Sequence, residues 1–348
     1  MSTPGFRLPA EWEEHAATWL VWPQNREDWP GKIVPVQWTY VEIVRKLAQS
    51  EPVRVLVNAE EVQVRAERML ERAGADLGNV RFEIVPTDRG WARDMFPAFV
   101  RDEHHGKIVM ARFLFNAWAK YHNFLQDRKV PEHLSTILGL DMVEVSWKGR
   151  PVVMEGGALD SNGAGTLLTT EECLLDTRYQ IRNQGFARED YEGLFRKWLG
   201  IDQVIWLPGG IAGDDTHGHV DDVCRFVNKD TVVLCQETDP EDVNYSVLQR
   251  NRTVLEQART ADGAALHIID LPMPAPLTFD GVRLPASYAN FYIANRLVLV
   301  PTFNDPMDRI ALEILAGCFP GREVVGIHSV DLVWGLGTLH CLTHEQPA

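Results

Sequence analysis

The feature that most restricts this chain is a recurring order of elements. Two runs rich in β-branched and aromatic residues flank a tight polar turn, and a helical stretch follows. The order appears in "FPAFVRDEHHGKIVMARFLF", turning near Asp102 to Gly106, and in "VVMEGGALDSNGAGTLLTT", turning at Asn162-Gly163. It returns in "VCRFVNKDTVVLCQE", turning at Asn228-Lys229-Asp230, and in "YANFYIANRLVLVPTF", turning at Asn295. After the first, the turns recur roughly every 60 to 66 residues, by subtraction of those positions. Apolar residues at helical spacing fill the intervals, over 60 to 75 and 189 to 200. A further helix is capped by Asp305, opened by Pro306 and closed at Gly317. About five such units fill the chain. The last would be assembled from its two ends, "ATWLVWP" (16 to 22) and "LHCLTHE" (339 to 345), pairing to close a ring. An open α/β sheet built from hairpins is the alternative. No Gly-x-Gly-x-x-Gly follows the first strand and no Walker-type loop occurs, which argues against a nucleotide fold.

Charge narrows the function. The 348 residues carry a formal net charge of −15, whereas a phosphate backbone demands a basic face. A nucleic-acid partner is therefore excluded, and a small cation would be drawn in; the alternative is that the acidity only keeps the chain soluble. "MSTPGFRLPAEWEEH" has no apolar signal region, and no apolar run approaches the ~20 residues of a membrane span. The five cysteines are odd in number and contain no Cys-x-x-Cys pair, so neither a disulfide framework nor a zinc ribbon is indicated. The expectation is a cytoplasmic protein in which a free thiol can be a nucleophile.

Three stretches carry candidate chemistry. "DDTHGHVDDVCRF" (214 to 226) reads as a strand from Gly218 onward, and alternation would put His217, His219 and Asp221 on one side. That suits a metal-dependent hydrolase, although the remaining histidines downstream (His267, His328, His340, His344) have no ligand spacing. The other reading needs no metal: Asp221 holds a cation while His219 moves protons. A guanidinium has a planar fork of donors that carboxylates match two at a time, and Asp94 in "RGWARDMFPAF" is a second such carboxylate unless a neighbouring arginine neutralises it. In "GLGTLHCLTHEQP", Gly335 and Gly337 allow close backbone approach, and Cys341 follows in an expected short strand, either as nucleophile or as a small buried hydrophobe.

The chain resembles the agmatine deiminase and bacterial-type peptidylarginine deiminase family. The likeness runs nearly end to end through "FRLPAEWEEHAATWLVWP", "WARD", "FNAW", "EGGALDSNGAGTLLTTEECLL", "DDTHGHVDD", "RLPASYANFYIANRLVLVPTFNDP" and "LHCLTHEQP". The resemblance implies one catalytic α/β domain over 1–348. Its fold would be a five-bladed pseudo-symmetric α/β propeller, a pentein-like ring of ββαβ units with the active site at its centre. It implies Cys341 as nucleophile, His219 as acid and base, and Asp94 and Asp221 as the carboxylates that clamp the guanidinium. The reaction implied is deimination of a small cationic guanidino substrate, foremost agmatine, with neither cofactor nor metal. Trp91 and Trp118 are candidates to wall the site. Glu155 and Asp215 are candidates to meet the substrate's far end or to order loops, Glu155 alternatively bonding the amides around Gly156 and Gly157. Asn290 is expected to bond near the centre, while His217 and His340 should point away if their strands are regular. Met95-Phe96-Pro97, Gly213, Leu336 and Thr338 depart from the family's usual residues. Other open readings are a deiminase of peptidyl or free arginine, an amidinotransferase, the metal-dependent hydrolase and a non-catalytic binding module. A homo-oligomer is also open.

Overall fold

A computed structural model describes residues 5–348. The fold is mixed α/β. Each expected hairpin forms and accepts a third strand in parallel beyond an intervening helix. Ala98–Asp102 pairs antiparallel with Lys107–Arg112, which pairs parallel with Met142–Glu144. The same order links Asp160–Ser161, Thr166–Thr170 and Gln203–Leu207. It recurs in Cys224–Phe226, Thr231–Gln236 and His267–Pro272, and in Tyr292–Ile293, Leu297–Thr302 and Glu323–His328. A parallel neighbour cannot be reached through a tight turn, which is why a helix separates the second strand from the third.

The fifth sheet joins distant stretches. His15–Val21 pairs antiparallel with Thr343–Pro347 and parallel with Val53–Val57, which in turn pairs with Val80–Ile84. Trp19 Nε1 donates to Gln346 Oε1, 327 residues away in the chain. The pairing of the two end segments expected from sequence is therefore present, with one boundary corrected: the C-terminal strand starts at Thr343, and Leu339–Leu342 is a short helical turn.

The helices read from apolar spacing are Glu60–Arg72, Arg188–Leu199 and Met307–Cys318. Gly200 closes the second in the left-handed conformation, satisfying a free carbonyl at the helix end. Asp305 Oδ1 accepts from Met307 N, and the helix runs one residue past Gly317. The largest apolar core includes Trp19, Trp29, Trp91, Leu299 and Leu339 and reaches Cys341, so the thiol sits at the edge of close-packed structure. Among the described residues, no helix is long and apolar enough to cross a membrane.

Candidate active site

The four residues carried by the resemblance come from three separate turns. Asp94 lies in the short helix Ala92–Met95, just ahead of the strand beginning at Ala98. His219 leads into the 3-10 turn Val220–Asp222, which carries Asp221, and Cys341 lies in the helical turn Leu339–Leu342. All four are buried. Cys341 Sγ is 3.6 Å from Asp221 Oδ2. His219 Nδ1 stands between the carboxylates, 3.9 Å from Asp94 Oδ1 and 4.0 Å from Asp221 Oδ1. Both imidazole nitrogens and Asp221 Oδ1 lack a hydrogen-bond partner. Unpaired buried polar atoms are costly, so this cluster is poised to receive a polar group.

Gly157 makes the close approach possible. A Cβ there would lie 2.4 Å from His219 Nδ1, 3.0 Å from Asp221 Oδ2 and 3.1 Å from Asp94 Oδ1. Its amide instead donates to Asp94 Oδ1 at 3.0 Å. The other Asp94 oxygen accepts from Trp118 Nε1 at 2.8 Å. Trp118 is held by strained backbone: Ala117, Trp118 and Ala119 have φ of 50, 58 and 55°, a left-handed run costing roughly 1–2 kcal/mol per residue.

Asp221 is supported differently. His340 Nδ1 is 2.7 Å from Asp221 Oδ2, and His340 Nε2 is 2.7 Å from Glu11 Oε2. Glu11 also accepts from Arg225 at 2.9 Å, and Arg225 reaches Asp160. The expectation that His340 points away is thus corrected. In a strand, neighbouring side chains diverge by about 180°, but in a helical turn by about 100°, so His340 and Cys341 both reach Asp221 Oδ2. The expected His217–His219–Asp221 face does not form. His217 takes a φ of 66°, which breaks the alternation, and its Nε2 lies 2.8 Å from Asp176 Oδ2; the strand is only Cys224–Phe226. Among the described residues the grouping with metal-ligand spacing is Glu155, Cys173 and His219, within 4.8 Å of one another.

Burial, reinforced by Asp221 and Glu155, pushes the Asp94 carboxyl up, against the pull of His219 and the Trp118 bond. For Asp221 burial pushes the same way, but the bond and charge of His340, with His219 and Arg225, bring it below the usual carboxylate range. Burial would lower His219; Asp94, Cys173 and Glu155 outweigh it and raise it well above the ordinary histidine value. Burial and the charges of Asp221, Asp222 and Asp94 push the Cys341 thiol up.

Glu155 is wholly buried beneath His219, 3.7 Å from Nε2, and accepts from Arg182 at 3.1 and 3.3 Å. Asp215 lies at the cavity rim, where both oxygens are taken, by Lys120 and by the Tyr121 hydroxyl. Asn290 Nδ2 is shared between Asp222 Oδ1 at 3.0 Å and Cys341 Sγ at 3.1 Å. The Asp221-Asp222 doublet was the available signal for Asp222, which no sequence reading singled out; for His340, which was expected to point away, the signal was its place beside Cys341. A cavity of about 710 Å3 opens onto Cys341 and Asp94, with Trp91 and Trp118 in its wall.

Comparisons with known proteins find relatives that span the whole chain. An agmatine deiminase of Stutzerimonas stutzeri is 36% identical over 373 aligned residues, covering 100% of this chain and 98% of that protein. Among solved structures, the agmatine deiminase of Enterococcus faecalis superposes with a TM-score of 0.90 at 30% identity, covering 100% of this chain and 98% of that one. A cysteine-to-serine variant of the C. jejuni agmatine deiminase, solved with substrate bound, gives 0.87 at 26% identity, covering 99% and 96%. The family model for Porphyromonas-type peptidyl-arginine deiminases matches residues 7–347, and with that match over almost its whole length the chain belongs to that family.

Proposed function

We propose that this protein is an agmatine deiminase, hydrolysing agmatine to N-carbamoylputrescine and ammonia through a covalent amidino-cysteine. The observation that carries the reading is the convergence on Asp221: a thiol 3.6 Å from its carboxylate, with His219 held between that carboxylate and Asp94. The guanidinium carbon is a weak electrophile because resonance spreads its charge. Two carboxylates keep the group cationic and aligned beneath the sulfur, which removes most of the orientational cost of attack. The bound cation also offsets the negative field that holds the proton on Cys341, and the thiol releases it to solvent. The thiolate then forms the C–S bond. His219, kept protonated by its carboxylate neighbours, gives a proton to the departing nitrogen, and ammonia leaves. Water adds to the remaining amidino-thioether while His219 takes its proton. Cleavage of the C–S bond yields the ureido product and the free thiol.

Trp91 and Trp118 wall the guanidinium. Glu155 supports His219 and Arg182 from below, and Asp215 orders Lys120 and Tyr121 at the rim. The five sheets close as a five-bladed pentein-like ring, forming one domain; the pairing of His15–Val21 with Thr343–Pro347 supports this. Five free cysteines suit a reducing cytoplasm.

The test is ammonia release from agmatine, arginine and a peptide ending in arginine. Agmatine should be turned over with the highest kcat/KM, and Cys341→Ala should abolish turnover. Activity surviving that substitution eliminates the thiol mechanism. Amine-dependent product without ammonia would indicate amidino transfer instead.

A further inference from the structure

The cavity holds a carboxylate, Asp28, that the chemistry above does not use. Five acidic residues line the cavity, Glu27, Asp28, Asp94, Asp215 and Asp280, against two Lys/Arg side chains, Arg89 and Lys120. Both cations are engaged. Lys120 pairs with Asp215, and Arg89 donates to Asp28 Oδ1 at 2.6 Å and to Asn123 at 2.6 Å while lying 4.0 Å from the Tyr121 ring centroid. Neither is left to receive a carboxylate. Both Asp215 oxygens already have a partner. Asp28 has an oxygen without one: its residue is 8% exposed, and Oδ2 is buried without a partner.

The next residue ties Asp28 to the reacting end. Trp29 packs on Trp91 with ring centroids 5.1 Å apart. A Cβ on Gly337 would lie 2.6 Å from the Trp91 ring and 3.2 Å from the Cβ of Cys341, so the indole and the cysteine both pack against this glycine. Asp28, Trp91 and Cys341 line the same cavity.

We propose that Asp28 determines substrate specificity: its free Oδ2 receives a cationic amine on the tail of the guanidino substrate, selecting amine-ended guanidines over those ending in an alkyl group or a carboxylate. The inference rests on the deiminase reading and adds the group that recognises the tail. Burial pushes the Asp28 carboxyl up to about 7 although Arg89 and the Gly90 backbone pull it down, so a further cation would favour its charged form. An arriving ammonium supplies that cation. A charge-assisted hydrogen bond of this kind corresponds to roughly tenfold or more in binding.

The experiment measures KM and kcat separately for agmatine, butylguanidine and arginine, by ammonia release, on the unmodified protein and on Asp28→Asn. The unmodified protein should show a KM for butylguanidine at least about tenfold above that for agmatine, with the kcat values much closer. Asp28→Asn should raise the agmatine KM by about tenfold and bring the two KM values within a few-fold of each other. Equal KM values for agmatine and butylguanidine in the unmodified protein overturn the proposal, as does an Asp28→Asn protein that keeps the full preference. If Asp28→Asn does not fold, Asp28→Ser is read by the same pair of KM values, with the same expected convergence. Turnover of agmatine without sensitivity to the tail sinks only this inference; turnover of no guanidine sinks the deiminase reading itself.

Discussion

Asp94 and Asp221 stand at nearly equal distances from His219, 3.9 and 4.0 Å, yet they are held in opposite ways. Asp94 accepts from two neutral donors, the Gly157 amide and the Trp118 indole. Asp221 accepts from His340, whose other nitrogen faces Glu11 at 2.7 Å. Burial would raise both Glu11 and Asp221, but Arg225, His340 and Arg93 outweigh it at Glu11, and His340, His219 and Arg225 outweigh it at Asp221. Neutral donors leave Asp94 raised, whereas the His340 contact pulls Asp221 down. The contrast lies in where the stabilising partner comes from: the anion of Asp221 is favoured by the protein's own groups, whereas that of Asp94 is disfavoured by burial and would be favoured by an incoming cation.

Removing either charge should have the largest effect. Asp94→Asn and Asp221→Asn should each lower kcat/KM for agmatine by about a thousandfold, since truncating a buried charge partner costs several kcal/mol. Steady-state ammonia release checks this, and near-normal activity of either variant would break the two-carboxylate clamp.

The supports come next. His340→Gln should lower kcat/KM by about ten- to a hundredfold, because a hydrogen bond involving a charge is lost. Removing the group that holds Asp221 down raises its pKa, so the acid limb of the pH profile should move to higher pH. Trp118→Phe removes a neutral donor and should cost only about fivefold. It too should move the acid limb upward, because that bond lowers Asp94. Equal losses from the two substitutions would erase the contrast between the supports.

The smallest effect is on stability, and there the two carboxylates should separate in sign. Asp94 has a folded pKa above its unfolded value of about 3.9. Its contribution is therefore favourable below that value and is lost as pH rises through the folded pKa. Asp221 is the reverse: its contribution is present above about 3.9 and is lost as pH falls through its lower folded pKa. At pH 7, Asp94→Asn should raise Tm by about 2 °C, while Asp221→Asn should lower it by about 5 °C, having left His340 without its charged partner. Thermal unfolding followed by circular dichroism checks both signs, and the gain from Asp94→Asn should vanish below pH 4.

Much of this was legible in the residues. The hairpins announced themselves through Asn162-Gly163 and Asn228-Lys229-Asp230, because turn chemistry is local. The identities of Cys341, His219, Asp94 and Asp221 came from resemblance; alternation alone also allowed a metal site containing His217. His340 was misplaced because a four-residue helical turn between a glycine-rich loop and a strand has no periodicity to detect. Asp28 went unnoticed for another reason. Its partner Arg89 lies 61 residues away, and nothing in "NREDWP" distinguishes a carboxylate facing a cavity from one facing solvent.

The contact between Trp19 and Gln346 has a kinetic consequence. Joining stretches 327 residues apart demands the loop-closure entropy of nearly the whole chain, and contacts of such high sequence separation tend to form slowly. The strand being captured begins two residues after the reactive sulfur. During renaturation, then, helical signal would recover ahead of turnover, and the catalyst would exist only once that late clasp had shut.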